Sequence, residues 1–464
     1  MHFPVIIIGS GASGSAIAHE LTQSGVSCLM LEAGRHHPRA TLPRSEIEWL
    51  PEILWGGGLE LDRTAKAGIM RGRAVGGSTI IYSAVLYRYD EMVFNWWREL
   101  SGVSFLNEKE LAPHYQAAES YVPMRRQDES TSNECNRIFR DGLEKKGYEV
   151  HTEMRGQMDC RTSEGNDCLA CTGGCAVGGK ASMPETLLKQ ALKNGLKLLP
   201  EFEVQRFEQR PGGGAICHGI HRGTRKMSFS CDRLVLACAT VGNVKLLERS
   251  GFGKQLPSLG KNFYVHWQRW HFGEFSWPID GFTGLFQVYA STDVKLRKKG
   301  LKFENTFLPP GAFATSRPGY GADHQEAMYR YQYNSCIESA VRSFHPGRIL
   351  IDNNGDHIID SGETDDEKRR TKEAREIAYS ALVDEGAKNL WTSAYAACPH
   401  HFGGVNISED PDMGCVDPEF HIHGLKDVYC ADSSVFPGSA GLNPAFTIWA
   451  LSHRASQQIL KEMS

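Results

Sequence analysis

The chain opens on a continuous apolar, β-branched run, Val5-Ile6-Ile7-Ile8, the pattern of a parallel strand buried on both faces. Ala16, Ile17 and Leu21 then fall at helical spacing and the pattern stops at Ser24-Gly25, which predicts a short helix. A second apolar run, Cys28-Leu29-Met30-Leu31, predicts another buried strand and ends in Glu32. Near the other terminus, Ile448, Leu451, Ala455 and Ile459 recur on one face of a helix. Residues 267 to 345 are rich in rings, among them Trp267, Trp270, Phe272, Phe275 and Trp277. Tyr329, Tyr331 and Tyr333 alternate there, which predicts a strand. Those rings fit either a packed sheet core or a surface that stacks on a ligand.

Between the first strand and the first helix lies Gly9-Ser10-Gly11-Ala12-Ser13-Gly14. Gly9 permits a tight turn, Gly11 lets the backbone approach a pyrophosphate, and Gly14 lets the helix pack close to the strand. The helix N-terminus adds unpaired N–H groups and a partial positive charge, with Ala12 and Ser13 at its start. Glu32, eighteen residues after Gly14 and followed by Ala33, stands where an acid accepts hydrogen bonds from an adenosine ribose. Strand, glycine turn, helix and closing acid together predict a dinucleotide site rather than a glycine-rich surface turn. The motif binds an ADP moiety and does not separate FAD from NAD.

At 464 residues the chain holds roughly three domain-sized units at about 150 residues each. Its 51 basic and 55 acidic residues leave a net charge of −4, which argues against a nucleic-acid binder with a basic face. The apolar runs are far short of the roughly 18 to 20 residues of a membrane span. A patterned strand from Pro4 leaves no room for an export signal, so the expected location is the cytoplasm. Its 13 cysteines, an odd number, fit a reducing compartment.

Three further segments carry a family resemblance. Gly72-Arg73-Ala74-Val75-Gly76-Gly77-Ser78-Thr79 resembles the second glycine motif of the glucose-methanol-choline (GMC) oxidoreductases, which lies along the flavin side of FAD. The run from Leu236 to Gly251 resembles that family's second signature, with Cys238 and Asn243 in place of its usual glycine and proline. The tail from Cys398 to Ile459 contains His400-His401-Phe402-Gly403-Gly404, Val428 to Pro437 and Gly441-Leu442-Asn443-Pro444-Ala445, in the family's order and spacing. Its Gly-Gly after the histidine is most similar to the cholesterol-oxidase-like branch. Gly260 to His266 also fits a family motif, at the exit from the FAD domain. Tyr82 departs from the pattern, standing where many members have asparagine, and the chain is shorter than most relatives.

The resemblance implies an α/β fold: a Rossmann-like FAD-binding domain of GMC type plus a substrate domain built on an antiparallel β-sheet. The FAD domain would be assembled from residues 1–90, 186–266 and 395–464, with a connecting segment at 91–185 and the substrate domain at 267–394. FAD would touch Gly9, Gly11, Ala12, Ser13, Gly14, Glu32 and Ala33 from the first motif. Arg73, Gly76, Gly77, Ser78 and Val204 would add contacts, as would Asp432, Ser433, Asn443, Pro444 and Ala445. The implied reaction oxidises the CH–OH group of a small-molecule alcohol, a sugar or polyol among the candidates, with oxygen or another electron acceptor. His400 matches the family's catalytic histidine and would take the hydroxyl proton, while Asn443 would hold the oxygen as charge develops on it. Asn443 before Pro444 also has the pattern of a helix cap, and His401 is the alternative pocket histidine. Two rival readings keep the fold: a lyase that uses FAD structurally, and a non-catalytic scaffold that binds a protein.

Two other clusters invite a ligand. Cys160, Cys168, Cys171 and Cys175 lie within sixteen residues and can ligate an iron–sulfur cluster or zinc, against structural thiols or a disulfide. The proline that often follows the last ligand is replaced by Ala176, and an amphipathic helix near Leu187 to Leu192 follows. Asp352, Asn354, Asp356, Ile358, Asp360 and Glu363 match an EF-hand spacing, yet His357 stands where that loop needs glycine. In the GMC family this stretch is a strand, turn and strand ahead of a charged helix, here about Asp365 to Asn389.

Overall fold

The structure, a computed structural model, describes residues 1–464 apart from Arg44, Leu59, Asp159, 161–167 and Phe286, and without the side chains of 168–170. Two sheets organise it. In the first, the strand His2–Ile8 lies between Cys28–Leu31 and Arg225–Leu236, parallel to both, and Lys197–Leu199 extends the far edge. Val428–Cys430 joins Arg225–Leu236 in parallel, so the C-terminal tail returns to the sheet that the N-terminus began. Val5, Ile6 and Ile7 are completely buried, as expected of a central parallel strand covered on both faces. Ala215–His221 and Phe202–Gln209 continue the sheet antiparallel. The helices Ala12–Gln23 and Ala445–Met463 pack together, with the Ser452 hydroxyl donating to Ser13 Oγ at 2.9 Å.

The second sheet is largely antiparallel. Its long strand Phe263–Glu274 pairs with Asn334–Arg342, which pairs with Leu301–Asn305, then Tyr289–Ser291. Ala396–Cys398 and His401–Gly403 pair with Phe263–Glu274 and bring the His400 segment onto this sheet. The charged helix forms over Asp365–Asp384, opened by a capping box in which Thr364 and Glu367 satisfy each other's backbone N–H. Its buried Ala374, Ala378 and Ala381 let it lie close against the sheet.

Two readings of the pattern resolve here. Arg348–Ile351 and His357–Asp360 form a hairpin, and Asp352 spends its Oδ1 on the N–H groups of Asn354 and Asp356 at 2.8 and 2.9 Å. The carboxylates of the calcium-like spacing therefore close a turn, and Asp360 pairs with Arg63. The tyrosine alternation does not make a strand. Tyr329 ends the helix Gly321–Tyr329 and Tyr331–Tyr333 is a helical turn. Arg330 lies 3.8 Å from the centre of the Tyr333 ring, and the Tyr331 hydroxyl donates to Leu308 O, contacts that override the period-two pattern.

Candidate active site

The tight turn after the first strand requires its glycines. Gly9 has φ +103°, and a Cβ there would sit 2.3 Å from Ala237 O. At Gly14 a Cβ would meet Gly9 O at 2.0 Å, so only glycine lets the helix start this close to the strand. A Gly14→Ala variant is therefore expected to lose about 1–3 kcal/mol of stability, read from urea unfolding. Gly11 differs: a Cβ there has only Gly77 Cα, at 4.0 Å, as a neighbour. It borders the open space of a cavity of about 670 Å³ that runs from this turn to the second sheet.

Glu32 anchors the turn. Its Oε2 accepts from Ser10 N–H at 2.9 Å and from the Ser10 hydroxyl at 2.7 Å, and its Oε1 accepts from Gly34 N–H at 2.7 Å. Burial raises its pKa against those hydrogen bonds. Ser10 Oγ in turn accepts Gly76 N–H at 2.9 Å, which ties the second glycine motif to the first. Asp432 plays a similar part at the other crossover. It accepts from Ala239 N–H at 2.7 Å, Asn243 Nδ2 at 2.9 Å and both the N–H and the hydroxyl of Ser434. Asn243, in the place of the family's proline, also accepts Cys238 N–H at 3.1 Å, so its amide joins the helix Ala239–Arg249 to the tail.

At the far end of the cavity the hydrogen bonds assign protons. Gly441 N–H donates to His266 Nε2 at 2.8 Å, so that nitrogen is bare and neutral His266 carries its proton on Nδ1. His266 Nδ1 lies 3.0 Å from His400 Nδ1, which must then accept. Neutral His400 consequently holds its proton on Nε2, its remaining nitrogen. Burial lowers the pKa of His400 to about 4, with Glu304 working against the shift and Lys302 with it, and His266 lies lower than its ordinary value for the same first reason.

Asn443 is assigned by the same logic. Lys302 Nζ, which can only donate, lies 2.6 Å from Asn443 Oδ1, so the amide nitrogen faces Glu304 and the cavity. Asn443 does not cap the C-terminal helix. Pro444 occupies the cap position with no side-chain cap, because the buried ammonium outcompetes a backbone N–H for the amide oxygen. Lys302 also donates to Glu304 Oε1 at 2.5 Å, approaches Glu153 Oε1 at 3.5 Å and lies 4.2 Å from the centre of the Tyr87 ring. Lys302 and Glu304 are 2 % and 1 % exposed. Burial pushes the Glu304 carboxyl up, but Lys302 overrides it and holds the group below its ordinary range.

Comparison with known proteins identifies the family. Family models described as GMC oxidoreductase match residues 4–268 and 327–452. The chain is a GMC oxidoreductase. An uncharacterized GMC-type oxidoreductase of Sinorhizobium fredii is 25% identical, over 99% of this chain and 95% of its own. A long-chain-alcohol oxidase of Arabidopsis thaliana is 22% identical, over 99% and 67%, and a cholesterol oxidase of Mycobacterium tuberculosis is 22% identical, over 98% and 90%. Among solved structures, pyridoxine 4-oxidase from Mesorbium loti superposes with a TM-score of 0.77 at 16% identity, covering 99% of both chains. GMC oxidoreductases are FAD-dependent enzymes acting on CH–OH donors, and FAD is this enzyme's cofactor. No helix among the described residues is long and apolar enough to cross a membrane.

The residues fit that cofactor. Gly9, Gly11, Ala12, Ser13, Glu32 and Ala33 border one end of the cavity, with Val204 beside them. Gly77, Ser78, Asp432, Ser433, Pro444 and Ala445 border it farther on, and His400 and Asn443 close the other end. Gly14, Arg73 and Gly76 stand behind the lining: Gly14 packs on Gly9, Gly76 bonds Ser10, and Arg73 lies 4.8 Å from the centre of the Trp55 ring. The open space over Gly11 would admit a pyrophosphate, and Glu32 retains lone pairs that a ribose would use. Tyr82 also borders the cavity, its hydroxyl donating to Ala181 O at 2.8 Å. His401 borders it too, on the side of the Arg71–Glu60 ion pair.

The cysteines divide. Cys171 and Cys175 are hydrogen-bonded to each other; that bond, with backbone N–H groups and Lys180, brings Cys175 down to about 5. Gln157 Nε2 donates to Cys160 Sγ, and neither Cys171 nor Cys175 is in a disulfide. The Cys168 side chain lies outside the described residues. Among the described residues only His345, Asp366 and Glu367 gather three ligand-type atoms within 4.8 Å of one another.

Proposed function

We propose that this enzyme oxidises the CH–OH group of a small-molecule alcohol to a carbonyl. Bound FAD supplies the hydride acceptor, flavin N5. His400 and Asn443 grip the substrate oxygen from two sides, and the observation that carries this is the fixed direction of both: His266 leaves His400 an Nε2–H, and Lys302 leaves Asn443 an amide N–H, at one end of the FAD cavity. A histidine whose free nitrogen already holds a proton is a donor. The hydroxyl proton therefore goes to Glu304, the ionised carboxylate beside Asn443, and this revises the base role that the resemblance implies for His400.

Anaerobic mixing of the yellow holoenzyme with a panel of sugars, polyols, sterols and aryl alcohols tests the reading. At least one class should bleach the flavin, and repeating with air admitted separates oxygen from other acceptors. A flavin that stays oxidised with every class would favour the lyase reading, and a colourless protein that refuses added FAD would favour the scaffold.

A further inference from the structure

We propose that the alcohol this pocket takes carries a protonated primary or secondary amine, its ammonium paired with Glu338 and one of its N–H bonds received by Gln287 Oε1. The inference rests on the alcohol-oxidation reading for the site it occupies and adds the substrate class.

The argument starts from strand register. Glu304 on Leu301–Asn305 lies directly opposite Glu338 on Asn334–Arg342. Like charges in that relation repel, and both carboxyls are buried, at 1 % and 4 % exposed, while bordering the cavity. Lys302 hydrogen-bonds only one of them, giving its N–H groups to Glu304 and Asn443, and its charge offsets burial at Glu338 only in part. Glu338 has a hydrogen bond from Trp270, and burial next to Glu304 pushes its pKa far up. The pocket thus contains a carboxyl that a cation would let ionise.

Gln287 is a second and independent sign. It is 7 % exposed, borders the same cavity, and its Oε1 has no hydrogen-bond partner. A buried acceptor without a donor is unfavourable by about 1–3 kcal/mol unless a ligand or water fills it. It can receive only a group that bears hydrogen. An ammonium with N–H bonds meets both needs, whereas a quaternary ammonium satisfies Glu338 and leaves Gln287 unmet. A sterol or long alkyl chain meets neither.

The test measures binding to the FAD-loaded enzyme, its flavin first reduced with dithionite so that no hydride can pass, anaerobically, by titration calorimetry. Its probes are amino alcohols from ethanolamine to 5-aminopentan-1-ol, each against the alcohol with methyl in place of the ammonium and against its trimethylammonium counterpart. At least one amino alcohol should bind ten-fold or more tightly than its methyl isostere and also more tightly than its quaternary counterpart. Glu338→Gln, which keeps the shape of the side chain, should cut that preference at least five-fold, and Gln287→Leu should reduce the advantage over the quaternary probe. Isosteres that bind as well as the amino alcohols, or a preference that persists in Glu338→Gln, would overturn the inference. Because binding is read apart from turnover, the two readings fail separately. Amino alcohols that bind but never bleach the flavin would sink the oxidation reading alone, and neutral alcohols that bleach it while no amino alcohol binds would sink this one alone.

Discussion

Replacing His400 by glutamine is expected to leave far more activity than replacing it by alanine. Glutamine can present an amide N–H roughly where the histidine presents Nε2–H, but it cannot accept a proton at neutral pH. If His400 works as a donor to the substrate oxygen, alanine should slow flavin bleaching by about 10²–10³, the usual effect of losing one such donor, and glutamine should recover part of that loss. Glu304→Gln removes the proposed proton acceptor and should cost about 10²–10⁴ with no rescue by a neutral side chain. Each variant should keep its yellow colour, since neither residue stands at the glycine turn that holds the ADP end. Stopped-flow bleaching under anaerobic conditions reads all three. Equal rates for glutamine and alanine at position 400, with little loss in Glu304→Gln, would return the base role to the histidine.

The pH profile gives the same assignment a sign. Glu304 lies below its ordinary value because Lys302 outweighs burial, and His400 lies at about 4 because burial outweighs Glu304. Both are in their working forms, carboxylate and neutral imidazole, throughout the neutral range. These two groups should therefore hold activity steady across neutral pH and let it fall in the acid range. Glu153, raised to about 7 by burial beside Glu304, is the group whose titration would add a step near neutral.

The cofactor half of this molecule could be read from sequence because local rules and the fold agree there. A buried strand, glycines that only glycine can satisfy, a helix and a closing acid each need only neighbours in the chain. His400 and Asn443 came from resemblance, which carries residue identity but not proton placement. Their directions depend on Gly441, His266 and Lys302, of which Lys302 lies 141 residues from Asn443 and His266 lies 134 from His400. No spacing rule reaches that far. Lys302 and Glu304 are not legible in the sequence for a specific reason. Charged residues alternating with Leu301 and Phe303 read as the solvent face of an edge strand, and only the cover supplied by other segments turns that face inward. Glu338 was hidden in the same way between Ile337 and Ser339, and the helical tyrosines at 329 to 333 show the opposite error, where tertiary contacts overrule an alternation that looks like a strand.

Lys302→Met is the substitution expected to damage the fold most. Methionine fills similar space, but it leaves Glu304 and Glu153 buried without the ammonium that lies 2.5 and 3.5 Å from them. Removing one partner of a buried ion pair usually costs about 3–5 kcal/mol, because the remaining charge must be neutralised inside the protein. The sign with pH follows from the two carboxyl states. In the parent the folded-state pKa of Glu304 lies below its unfolded value, so its stabilisation is present above that value and is lost as pH falls through the folded one. In the variant burial is unopposed and the folded-state pKa rises above the unfolded value, so the penalty grows as pH rises through it. The stability gap between parent and variant should accordingly be widest near neutral pH and should narrow in acid. Adding Glu304→Gln to the variant removes the stranded charge and should recover part of the loss at neutral pH. Urea unfolding of the parent, the single and the double variant at neutral and acidic pH measures each step, and a single variant within 1 kcal/mol of the parent at neutral pH would mean that Lys302 does not hold this cluster together.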